Sequence, residues 1–113
     1  MAISNYGELK TAVANHLQRR DLDAVIPDFI QNTHLTLTEY TGSLAPLAAD
    51  TDTNEMLAYD PHTYLFGACF EGAQYLRDAE LMATYAARFQ QKLQNLAATG
   101  FDYIKGTPNG PVI

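Results

Sequence analysis

The chain has no tryptophan, one cysteine and only seven lysines and arginines among 113 residues. The missing tryptophan excludes nothing. A lone cysteine, Cys69, excludes an intramolecular disulfide and a cysteine-based metal site. Its place in an apolar stretch reads as a small core hydrophobe rather than a nucleophile. No run approaches the roughly 20 consecutive apolar residues that a bilayer span needs. The opening residues lack the basic and apolar regions of a signal peptide, so a cytoplasmic protein with no membrane association is expected. Between residues 21 and 60 there is no lysine or arginine. Asp21, Asp23, Asp28, Glu39, Asp50, Asp52, Glu55 and Asp60 give that stretch a charge of −8, against +2 for residues 1–20 and zero for 61–113. With a net charge of −6 and no basic stripe, the chain is poorly suited to grip nucleic-acid phosphates. Like charge still suits a wall past which DNA moves without sticking.

Catalytic signatures are also missing. His16, His34 and His62 fall on three different expected elements, and only His34 with Glu39 approaches a metal-ligand spacing. A structural or surface role is expected of all three. There is no glycine-rich phosphate loop and no nucleophile elbow. The DTDTNE run at residues 50–55 alternates carboxylates but lacks the central glycine and final spaced glutamate of a calcium loop. Acids are numerous enough to build a glycosidase pair, but spacing along the chain does not define one. No enzyme activity and no cofactor are expected.

What the chain does have is helical periodicity. Apolar residues make up 47% of it, which suits one globular domain. From Asp60 to Gly100 two helices are expected, joined by a tight corner at Arg77. Asp60 is a natural N-cap and Pro61 fits the first helical position. Leu65, Cys69, Gly72, Ala73 and Leu76 repeat at three- and four-residue spacing, while Tyr64, Phe66, Ala68, Phe70 and Tyr75 extend the apolar surface around the other side. A helix apolar on most of its circumference must be covered on several sides, in a chain this small by another subunit if not by itself. Gly67, Ala68, Gly72 and Ala73 form a small-residue strip, read as a helix-packing or subunit interface. Asp78 can cap the last helix, whose face is Met82, Tyr85, Ala86, Phe89, Leu93, Leu96 and Ala97, and Gly100 suits its end.

Upstream, Ser4 is the expected cap of a helix running to Arg20, with Tyr6, Leu9, Val13 and Leu17 on one face. Arg19 and Arg20 would lie in its last turn. Asp21 and Asp23 supply the stop and the next cap. A second helix is expected from Ala24 to about Tyr40, with Pro27 tolerated in its first turn. Residues 43–59 read as an irregular connector with one helical turn over 55–59, capped by Asn54. Residues 101–113 hold Gly106, Pro108, Gly110 and Pro111, which forbid a helix. The fold class is therefore all-α: four main helices over residues 1–100, and an extended arm over 101–113.

Two blocks carry a resemblance. The first forty residues, through Tyr6, Glu8, Leu9, Leu17, Arg19, Asp21, Leu22, Ile26, Pro27, Phe29 and Ile30, resemble the opening of the head-to-tail adaptor proteins of short-tailed phages. The stretch TYLFGACFEGAQYLRDAELMATYAARFQQKL resembles the same family's carboxy-terminal hairpin. Longer relatives carry a strand-containing segment between the blocks, where this chain has only residues 42–59. His34 and Thr36 stand where relatives tend to have an acid and a base. The resemblance implies a homo-oligomeric ring of about twelve copies at the head–tail junction of a virion. That ring would sit under the portal protein, extend the DNA channel and give tail or nozzle proteins a platform. In that setting Phe101, Tyr103, Ile104, Pro108, Pro111, Val112 and Ile113 read as a portal-binding arm. Asp21, Asp23, Asp28, Asp50, Asp52 and Glu55 read as channel-facing acids. The alternatives are a small acidic helical regulatory module, and a tail-associated cell-wall hydrolase.

Overall fold

In a computed structural model of the chain, which describes residues 3–99, one helix is the axis on which the others are laid. That helix is α4 (Pro61–Leu76), and α1 (Tyr6–Leu17), α2 (Ile26–Thr41), α3 (Glu55–Tyr59) and α5 (Ala79–Thr99) all pack on it. Among the described residues there is no strand. Most of the cover over α4 comes from its own chain, while Phe66, Phe70 and Leu76 stay half-buried and Tyr75 is exposed. Tyr64, Leu65, Ala68, Cys69 and Ala73 are at most 1% exposed. Of these, Tyr64, Leu65, Ala68 and Cys69 join Leu9 and Val13 of α1, Ile26, Ile30 and Leu37 of α2, Met56 and Leu57 of α3, and Tyr85, Leu93 and Leu96 of α5 in one core. Each fully buried leucine there contributes about 1.5–3 kcal/mol.

The helix ends have local causes. Asp60 accepts from His62 N and Asn54 accepts from Leu57 N, each side chain filling an orphan donor of the helix it opens. Arg77 takes a left-handed conformation (φ 56°) and Asp78 accepts from Leu81 N, which turns the chain from α4 into α5 within two residues. Three boundaries differ from the sequence expectation. The cap of α1 is Asn5, whose side chain accepts from Glu8 N, while Ser4 donates its N–H and hydroxyl to the Glu8 carboxylate. Next, α1 ends at Leu17 because Gln18 enters the left-handed region and returns its N–H to Ala14 and Asn15 carbonyls. Arg19 therefore leaves the helix and pairs with Asp21. Finally, α2 opens at Ile26, not Ala24. Leu22 is buried and its carbonyl accepts from Val25 and Ile26, so residues 21–25 form a turn and Asp23 caps nothing.

The connector before α3 is ordered by what it does for α1. The carbonyls of Asp52 and Asp50 accept from Tyr6 N and Gly7 N, two donors of the first turn that no helical carbonyl can reach. The Asp52 carboxylate closes the turn by accepting from Ala48 N and Ala49 N, and Asp50 reaches Lys10 at 2.8 Å. Leu44 anchors the segment in the core.

Candidate functional site

The residues singled out from the sequence do not form one site. The arm residues Phe101, Tyr103, Ile104, Pro108, Pro111, Val112 and Ile113 lie outside the described residues. Gly67, Ala68, Gly72 and Ala73 are buried inside this chain. A Cβ on Gly67 would press on the Thr33 methyl of α2 and the Phe89 ring of α5. One on Gly72 would meet Leu17 of α1 and Phe29 of α2. The strip thus brings α1, α2 and α5 close to α4.

The six acids are scattered and partly spent. Asp21 holds Arg19 with both oxygens, Asp50 holds Lys10, and Asp52 is committed to its turn. Its two backbone donors hold the Asp52 carboxyl below the usual range, as Arg19 does for Asp21. Asp23 lines an open groove of about 420 Å³ with Lys10, Arg20 and Asp50. Asp28 is exposed on α2, and Glu55 is exposed in the first turn of α3. Among the described residues no three His, Cys, Asp or Glu side chains gather around a common metal position.

Inside, one polar cluster ties three elements together. Asn54 Nδ2 donates to Ala45 O at 2.9 Å and to the Tyr64 hydroxyl at 3.0 Å. The hydroxyl also lies 2.8 Å from His34 Nδ1, and its hydrogen is available to a neutral His34 protonated on Nε2. Burial lowers the His34 pKa and pushes Tyr64 up to about 12. Every member is satisfied, so the cluster specifies how α2, α4 and the connector meet. Cys69 is buried in the core near Tyr85, and burial pushes its thiol up to about 12, which leaves it inert at neutral pH.

Two outer surfaces carry chemistry that the sequence did not announce. On one, Phe66 of α4 and Tyr85 of α5 lie with ring centroids 6.1 Å apart, and the Arg88 guanidinium covers both. His62 packs on Phe66, and His16 of α1 is 3.2 Å from the Tyr85 hydroxyl. Burial, then the nearby His62 and Arg88, lowers the His16 pKa. On the other, Tyr75 is 58% exposed and lies against Phe29, beside a shallow groove of about 350 Å³ edged by Asp28 and Glu71. The only sequence signal for either was the aromatic excess of α4 beyond its core stripe. No family model, no curated protein and no solved structure matches the chain.

Proposed function

We propose that the chain is a structural head-to-tail adaptor of a virion, assembling as a ring beneath a portal protein and offering tail or nozzle proteins a platform. The observation that carries this reading is the pairing of its two resembling blocks. The first spans α1 and α2 and the second spans α4 and α5, and both close around α4 to make a self-contained helical unit. A unit that needs no partner for its core keeps its outer faces for neighbours. Support also comes from the acidic middle of the chain, since carboxylates repel phosphates within about 10 Å of a channel wall.

Residues 101–113 are the portal-binding arm in this reading. Ordering such an arm costs about 1–2 kcal/mol per residue of backbone freedom. Burying Phe101, Tyr103, Ile104, Val112 and Ile113 returns roughly 1.5–3 kcal/mol each. One arm therefore binds weakly, and many arms on one ring bind strongly. Deletion of residues 101–113 tests it: the truncated protein should stay folded, by far-ultraviolet dichroism, and fail to join the portal. Normal docking of the truncated protein refutes the arm.

A further inference from the structure

Phe66 and Tyr75 stand nine residues apart on α4. At 3.6 residues per turn that is about two and a half turns, so the two rings leave the helix on opposite sides. The surfaces around them have opposite charge. On the Phe66 side, Arg88 lies 5.6 Å from the Phe66 and Tyr85 centroids. Among the described residues it has no carboxylate partner, whereas its neighbour Lys92 is held by Asp60 at 2.7 Å. On the Tyr75 side, Asp28 has no cation among the described residues, and Glu71 is met only by the Asn32 amide at 3.2 Å. Arg19, within coulombic reach of Tyr75, is occupied by Asp21.

We propose that the Phe66–Arg88 face of one copy docks head to tail on the Asp28–Glu71–Tyr75 groove of a second copy. A guanidinium carried on an aromatic platform and a pair of carboxylates beside an exposed tyrosine are complementary halves of one contact. Neither face complements itself, so a two-fold dimer through either would set like charges together. Because the faces lie on opposite sides of one helix, every copy can use both, and the contact repeats into a ring wherever its rotation closes. The inference deepens the adaptor reading and rests on it for the ring.

The test uses full-length protein. Thr84→Cys lies one helical turn before Arg88 on α5, Gln74→Cys borders the groove, and both positions are exposed. Native Cys69 is buried and does not compete. A short bis-maleimide should join the two variants when they are mixed and neither variant to itself. Adding Arg88→Glu to the Thr84→Cys chain should lower the mixed product about tenfold, and Glu71→Arg in the partner should restore it. Absence of the mixed product, equal yield from one variant alone, or indifference to charge reversal overturns the proposal. Portal-bound rings that form normally with Arg88→Glu overturn this contact and leave the adaptor reading standing. A cross-link that obeys the charge rules in a protein that ignores the portal supports the contact and removes the adaptor.

Discussion

Replacing Gly67 by alanine sets two effects of known sign against each other. A helical alanine in place of glycine gains roughly 1 kcal/mol. Here the new methyl points at Thr33 Cγ2 and lies 2.9 Å from two atoms of the Phe89 ring. Thr33 cannot turn away easily: it is β-branched, 2% exposed, and its hydroxyl donates to Phe29 O at 2.9 Å. Overpacking of this kind costs about 1–3 kcal/mol, so Gly67→Ala should be net destabilising by about 1 kcal/mol. That lowers the melting temperature by about 4–8 °C in a domain near this size. Gly72→Ala faces the flexible end of Leu17 instead, and should come out near neutral. Thr33→Ser removes the offending methyl and keeps the hydroxyl, so Gly67→Ala with Thr33→Ser should recover more than about 0.5 kcal/mol over additivity. Urea unfolding followed by dichroism measures the whole cycle. A stabilised Gly67→Ala protein, or an additive cycle, would refute the account of α4 as a closely approached hub.

Asp60 serves both as the cap of α4 and as the partner of Lys92. Asp60→Asn keeps the capping oxygen and should cost about 0.2–1 kcal/mol, while Asp60→Ala should cost about 1 kcal/mol more; equal losses in thermal unfolding would discount the cap. Because burial depresses the folded-state pKa of His34, its contribution is present above about 6.5 and is lost as pH falls from there through the folded value. The urea midpoint should therefore drop across that window, less steeply in His34→Gln, with a residual slope from His16, which is shifted the same way. A profile of unchanged steepness in His34→Gln would show that the histidine is not the group responsible. The carboxyls of Glu8, Asp21 and Asp52 are also lowered, so their contribution is present above about pH 4.5 and is lost as pH falls from there through the folded values, separate from the histidine window.

The parts of the fold that were legible from residues alone are those settled within one turn of chain. Asn54, Asp60 with Pro61, and Asp78 each cap the helix that follows, because the acceptor and its N–H donor are neighbours in sequence. Ser4, the expected cap, stands one residue too early: Asn5 takes the Glu8 N–H, and Ser4 is left to the Glu8 carboxylate. The early end of α1 had no such signal, since Gln18 is not a residue that announces a left-handed turn. The connector was opaque for a different reason. Its work is done by backbone carbonyls of Asp50 and Asp52 on donors some forty-five residues earlier, and a carbonyl carries no residue code. The Phe66–Arg88 face depends on the register of α5 along α4 and on His16 arriving from α1, and the Tyr75 face on how α2 lies along α4, none of which periodicity within one helix specifies. The small-residue strip was visible, but whether it met another copy or its own chain depended on the path of α1 and α2.

The central claim is that this domain becomes a ring only in the company of a portal. Native mass spectrometry of the full-length chain, alone and mixed with a portal protein, measures that directly. The account predicts a small species alone and, on mixing, one portal bearing a closed ring of about twelve copies. A chain that stays free of the portal at every ratio, or one whose stable partner is a transcription factor, would contradict it.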